Sequence, residues 1–273
     1  MKQQVVVITG AGRGLGEGMA RQLAAKGARL ALLDRDAGHV EKVAADLPDA
    51  RAWTVDVTDA AGLARVAEEV LAHFGRVDVL VANAGIGKGG PFLLEDLEGA
   101  AEFERVLDIN LTGSTRTVRA FLPALIASRG YYLQIASLAA LAPAPFMSAY
   151  CASKAGVEAF AHCLRGELKH HKVKVGVGYL AFTDTDMVRE ADEDPAMRTL
   201  RSSLPPPLGS TYPVEPAVER LVAGIEGRKA HVYAQRWLRV MPYLRGGLPS
   251  LVGHMPSRDI RKAEQLVRDR RQA

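Results

Sequence analysis

Three observations in the 273-residue chain predict an α/β fold, doubly wound, with a mostly parallel seven-stranded sheet. Apolar runs of strand length alternate with stretches of helical periodicity. Most of those runs are apolar throughout rather than at every second residue, as strands covered on both faces are. A glycine-rich turn joins the first run to the first helix. Parallel strands need crossover connections, and the helical stretches supply them.

The predicted strands are Val5–Thr9, Leu30–Asp34, Ala52–Val55, Val77–Asn83, Tyr131–Ala136, Val173–Leu180 and His231–Ala234. In the first helical stretch Leu15, Met19 and Leu23 recur every fourth residue, and Gly27 stands where a C-terminal cap belongs. Leu63, Val66, Val70 and Phe74 form a similar stripe after Asp59, closed by Gly75. Longer helices are predicted over about residues 100–128 and 148–170. The order breaks at 184–213, where an acidic cluster (Glu190, Asp192, Glu193, Asp194) and Pro205-Pro206-Pro207 leave too few apolar positions for a core element. Such a segment is expected to be a substrate lid or a disordered stretch. Residues 1–235 thus form one domain. Residues 236–273 form an extension with Trp237, Leu238, Met241, Tyr243 and Leu244, ending in a basic helix near 257–271.

A chain of 29.3 kDa is long enough for one generous core and short for two domains. Residues 228–273 carry eleven Lys/Arg against three acids, a net of +8; the whole chain is +4, so the preceding residues carry −4. The basic character belongs to the tail, which argues against nucleic-acid binding by the body. No apolar run reaches the length of a membrane span, and the opening residues lack the pattern of a secretory signal. Cys151 and Cys163, on one predicted helix, would stand about 18 Å apart and cannot bridge. A reduced, cytoplasmic setting is expected.

The string Thr9-Gly10-Ala11-Gly12-Arg13-Gly14-Leu15-Gly16 ends the first strand and opens a helix. Its glycines let a pyrophosphate approach free amides at the helix N-terminus, the signature of a Rossmann-like dinucleotide site. Asp34 ends the next strand, 18 residues beyond Gly16, where an acidic residue would bond the adenosine ribose. It is otherwise a turn former in Asp34-Arg35-Asp36-Ala37-Gly38. A carboxylate there favours NAD, while Arg13 and Arg35 leave NADP open. Asp56-Val57 is placed to bracket the adenine, or Asp56 to cap the following helix. Asn83-Ala84-Gly85 closes the fourth strand as a small, polar turn beside the cofactor, or as an ordinary strand-ending turn.

Tyr150 and Lys154 are four apart and share a helix face. An adjacent ammonium lowers the pKa of a phenol, which can then exchange a proton with a carbinol or carbonyl oxygen during hydride transfer to or from nicotinamide. Lys154 is also placed to bind the nicotinamide ribose. Ser137 follows the fifth strand, at the sheet edge where ligands of such folds bind, and could hold the substrate oxygen. Asn110, a poor helix residue within Leu107-Asp108-Ile109-Asn110-Leu111, suggests a buried hydrogen-bonding role or a local distortion.

In order along the chain, these motifs resemble the short-chain dehydrogenase/reductase family, compact single-domain branch, over about residues 3–235. The resemblance implies that Tyr150 is the acid/base, that Lys154 binds ribose and lowers the tyrosine pKa, that Ser137 orients the substrate oxygen, and that Asn110 holds a water in a proton relay. It also implies a homo-oligomer, dimer or tetramer, built on the fourth and fifth helices. One departure lies after the sixth strand. The family's Pro-Gly-x-x-x-Thr is here Leu180-Ala181-Phe182-Thr183-Asp184-Thr185, which keeps Thr185 for the nicotinamide carboxamide and places Phe182 near the nicotinamide floor. The long tail is the other departure.

Adjacent His170 and His171 are expected to point apart, so no metal site is expected. Cys151 reads as a small buried thiol. The tail's apolar residues pack on the body or a neighbouring subunit, or, with its arginines, on an anionic membrane surface. The expected function is an NAD(P)-dependent oxidoreductase of a secondary alcohol or ketone. Met187, Val188, Met197, Leu200 and Leu204 of the lid point to an apolar small-molecule substrate. The alternative is a non-catalytic dinucleotide-binding regulator acting through its basic tail.

Overall fold

The computed structural model describes residues 1–92, 97–248 and 256–272. Part of the predicted extension, residues 249–255 and 273, lies outside the described residues. Seven strands, β1 Val5–Thr9, β2 Arg29–Asp34, β3 Ala50–Thr54, β4 Val79–Ala82, β5 Tyr131–Ile135, β6 Lys174–Tyr179 and β7 His231–Tyr233, form one sheet in the order β3-β2-β1-β4-β5-β6-β7. Every pairing is parallel. The predicted sheet is therefore present, and wholly parallel.

The period of two along a strand explains the continuous apolar runs. Val5 and Val7 of β1 enter one core layer with α3 (Ala60–Phe74), α5 (Gly113–Ser128) and α6 (Ser148–Glu167). Val6 and Ile8 enter the opposite layer with α1 (Gly14–Ala25), α2 (Ala37–Ala45) and α9 (Val214–Glu226). Chain order runs outward from β1 to β3 on one side and from β4 to β7 on the other. The switch point lies between β1 and β4, and the crevice at their carboxyl ends is where such sheets bind ligands.

Three expectations change. The helix expected over 100–128 is α4 (Leu97–Leu107) and α5, joined by a π-helical turn at Asp108–Thr112 that contains Asn110. The 184–213 segment is largely helical. It holds α7 (Asp186–Glu193) and α8 (Pro195–Ser202), the second begun by Asp194, whose side chain accepts from Ala196 N–H, with Pro195 in the first turn. Its ends are pinned together, Asp184 N–H donating to Tyr212 O and Tyr212 N–H to Phe182 O, both at 2.8 Å. His170 and His171 do not point apart: their ring centres lie 3.8 Å from each other, beyond the end of α6.

The extension docks in two pieces. After a 3-10 turn at Arg236–Val240 comes α10 (Met241–Leu244), and Leu238 and Met241 join the main core. Tyr243 and Leu244 do not pack on the body; they are 89% and 54% exposed. The last helix, α11 (Ser257–Gln272), buries Ala263 and Val267 against Ala196 and Leu200 of α8. Leu200 thus belongs to this small cluster. Those apolar positions of α11 have an intramolecular partner. Among the described residues no helix is long and apolar enough to cross a membrane.

Candidate active site

The crevice at β1 and β4 is a cavity of about 220 Å3. Gly10 begins its floor. Its φ of +65° suits glycine, and an added Cβ would stand 2.9 Å from Ala84 Cα, so the β1 and β4 loops meet only because it has none. Asn83 fastens the same two loops, its amide donating to Thr9 O and Gly10 O at 3.0 Å. Thr9 lies behind the cavity, its hydroxyl accepting from the N–H of Asn83 and of Ala84 at 3.1 Å. Gly16 is also behind it, where a Cβ would overlap the Gly10 carbonyl. These two predicted cofactor residues shape the loop without lining it.

Arg13, Gly14 and Leu15 line the cavity at the start of α1. That helix has no side-chain cap, so its first amides are open to an anion. At the end of β2, Asp34 accepts from Gly12 N–H at 2.9 Å and from Asp36 N–H at 3.1 Å, and its carboxylate faces the cavity with Arg35 beside it. Asp56 and Val57 line the next edge. Asp56 accepts from the N–H and the hydroxyl of Thr58 at 2.8 Å, while Asp59, not Asp56, caps α3. Ala84, Gly85 and Thr185 complete the wall. A glycine cradle, an uncapped helix start and a fixed carboxylate fit the pyrophosphate and ribose of a dinucleotide.

A second cavity, of about 430 Å3, adjoins the first, and Ser137 and Tyr150 line both. Its other walls are mostly apolar: Leu138, Ala142, Met147, Phe182, Met187 and Met197. Phe182 lies here, under the Arg201 guanidinium at 5.0 Å, and not on the floor of the first cavity. Cys151 is buried at the same wall, and burial pushes its thiol pKa up. Sequence reasoning missed the 138–147 wall because its short Ala/Pro-rich stretch has no periodicity to read.

Lys154, 5% exposed, donates from Nζ to Ile135 O at 3.2 Å and stands 5.6 Å from the Tyr150 ring centre. Burial lowers its pKa to about 8. The expected lowering of the Tyr150 pKa is not found. Burial raises it, and the neighbouring Ser137 side chain only partly opposes the rise. The lysine lies toward the ring centre, and loss of water around the phenol outweighs any attraction.

Asn110 does not line either cavity. Its Oδ1 accepts from Ile86 N–H at 2.8 Å, and its Nδ2 donates to Ile86 O and to Ser153 Oγ at 3.0 Å. The buried hydrogen-bonding role and the helix distortion are both present. Both amide hydrogens of the side chain are engaged, and Oδ1, with the single bond from Ile86, keeps acceptor capacity for a further hydrogen such as a water's. Ser153, missed from sequence, links this asparagine to the helix that carries Tyr150 and Lys154.

Residues 4–196 match the family model described as short chain dehydrogenase. The chain is 39% identical over 194 residues to dehydrogenase/reductase SDR family member 7B of Bos taurus, covering 66% of this chain and 59% of that protein. It is 39% identical over 170 residues to probable oxidoreductase EphD of Mycobacterium tuberculosis, covering 60% of this chain and 28% of that one. It thus spans less than two thirds of these relatives. Among solved structures, a short chain dehydrogenase/reductase of Burkholderia phymatum in complex with NAD superposes with a TM-score of 0.79 at 25% identity, covering 92% of this chain and 95% of that one. A 3-ketoacyl-(acyl-carrier-protein) reductase of Brucella melitensis complexed with NADH gives 0.75 at 28% identity, covering 86% and 98%.

Proposed function

The chain belongs to the short-chain dehydrogenase family, and on that premise we propose that it is an NAD(P)-dependent oxidoreductase interconverting a secondary alcohol and a ketone with an apolar body. The observation that carries this reading is that Ser137 and Tyr150 stand where the dinucleotide-shaped cavity meets the apolar one. The nicotinamide, when bound, supplies or accepts the hydride. The chain's own groups handle the proton and the geometry. Tyr150, kept protonated at neutral pH by burial, gives its proton to the carbonyl oxygen in reduction and takes it back in oxidation. Ser137 donates to the same oxygen. Lys154 carries a positive charge below about pH 8, favours the phenolate as it forms, and bonds the ribose.

Asn110 is a positioning residue in this reading, fixing Ile86 against Ser153 so that the β4 loop and α6 keep their spacing. Asp34 supports NAD over NADP, because a 2′-phosphate would meet its carboxylate. Arg13 already faces Asp186 and Glu190 of α7 at 3.8 Å, which weakens its pull on such a phosphate. The 184–213 segment serves as the lid, and Met187, Val188, Met197 and Leu204 on it line the second cavity. Self-association into a dimer or tetramer belongs to the same reading.

A steady-state assay of secondary alcohols and ketones with both nicotinamides tests the reading. Tyr150→Phe is expected to lower turnover by about 10²–10⁴-fold while NAD binding persists. Turnover at the native rate in that variant would sink the assignment.

A further inference from the structure

Beyond the substrate cavity lies a third, of about 270 Å3, which the chemistry proposed above does not use. Its walls carry Phe103 and Val106 of α4, Phe146, Ala149, Ala196 of α8 and Val267 of α11, together with Ser148 and with Glu102, whose Oε2 is buried without a hydrogen-bond partner among the described residues. Lys88, Gly89, Asp194, Met197 and Arg270 line this cavity and the substrate cavity alike, and so stand at the boundary where the two meet.

The boundary has two halves. In one, Met197 lies over Gly89, where an added Cβ would stand 3.1 Å from the methionine sulfur. In the other, Arg270 Nη2 donates to Asp194 Oδ2 at 3.1 Å. Asp194 is fixed, because its other oxygen accepts from Ala196 N–H at 2.9 Å. Arg270 is exposed and belongs to the last turns of α11. A methionine has three rotatable bonds, and an exposed ion pair holds weakly. Both halves can therefore part by side-chain rotation alone.

We propose that the third cavity is a distal subsite for the far end of an elongated apolar ketone or alcohol, and that Met197 with the Asp194–Arg270 pair is the gate that chain must pass. The proposal rests on the reading that Ser137 and Tyr150 hold the reacting oxygen. An anionic tail is not required of the substrate, since the Arg270 guanidinium is already paired with the Asp194 carboxylate. In this arrangement α11 closes the substrate site from outside the sheet.

The test is a series of straight-chain methyl ketones of rising length. Each is titrated calorimetrically into the full chain with NAD present, and its turnover is followed separately with NADH and NADPH. Affinity should rise about fourfold for each methylene buried, and continue to rise once the chain crosses the boundary. Gly90→Phe fills the third cavity, which Gly90 lines and where its Cβ would meet nothing within 4 Å. The ratio of native to variant affinity should grow with chain length to tenfold or more. Arg270→Ala opens the gate, and should raise affinity severalfold for the longest ketones. Because the two variants act in opposite directions, a folding defect in one leaves the other decisive. Coincident length profiles in all three proteins would overturn the subsite, whether or not turnover is seen. Diverging profiles without turnover of any ketone or alcohol would uphold the subsite and sink the proposed chemistry.

Discussion

An ammonium that is 5% exposed and donates to one carbonyl, as Lys154 does to Ile135, is destabilising to hold in a fold. Burial is the cause that lowers its pKa to about 8, below the ordinary lysine value of 10.5. The sign of the linkage follows. Below pH 8 the side chain is charged in both the folded and unfolded states, and the full burial penalty, at most about 3 kcal/mol, opposes folding. Between pH 8 and the unfolded pKa near 10.4 the unfolded chain binds the extra proton, so stability rises with pH. Lys154→Met should therefore raise the melting temperature at pH 7 by about 5 °C, and the gain should shrink by pH 10, while turnover is lost. Thermal unfolding at the two pH values checks this, and a variant less stable than the native chain at pH 7 contradicts it. Tyr150 and Lys154 were legible because four-residue spacing puts them on one helix face whatever the surroundings. The partners of Asn110 were not, because Ile86 and Ser153 lie 24 and 43 residues away.

At the scale of elements, α3 shows how local signals suffice. Asp59 caps its start, accepting from Gly62 N–H at 2.9 Å, and Gly75 ends it at a φ of +77°. A Cβ on Gly75 would meet nothing within 4 Å, so Gly75→Ala isolates the conformational cost. That cost is about 1–2 kcal/mol, for a drop of about 2–6 °C in melting temperature, with cofactor affinity unaffected. Calorimetric unfolding and a cofactor titration measure the two. The lid shows the opposite case. Its helix α7 buries no residue and is held by ion pairs, Arg189 to Asp184 and Asp186 at 2.8 and 2.7 Å. A reading based on apolar periodicity has nothing to detect there, and the cap and first-turn proline of α8, Asp194-Pro195, went unread. The π-turn at Asp108–Thr112 was visible only as one asparagine out of place.

At the scale of the molecule, the tail is tied to the body through a buried carboxylate. Glu158 of α6 is 2% exposed; Tyr179 Oη donates to its Oε1 at 2.7 Å, and Arg245 Nη1 stands 2.8 Å from Oε2 as an ion pair without hydrogen-bond alignment. Removing one partner of a buried charge leaves the other uncompensated. Arg245 is half exposed, which screens part of the loss, so Arg245→Ala should destabilise by about 2 kcal/mol rather than the larger values for fully buried pairs. Adding Glu158→Gln should recover part of it, since the effects are coupled. Urea denaturation of both variants checks the sign; equal stability of Arg245→Ala and the native chain would show that water replaces the arginine.

The sequence by itself determined a mostly parallel seven-stranded sheet, the alternation of its strands with crossover helices and the glycine-rich turn after its first strand. Periodicity and glycine placement act within a few residues of chain, and the switch point follows from topology. Only the tertiary structure decided the direction of the Tyr150 pKa, the engagement of Asn110, the course of the tail and the boundary behind the substrate cavity. Each depends on which distant atoms exclude water from a group, and no local pattern encodes that.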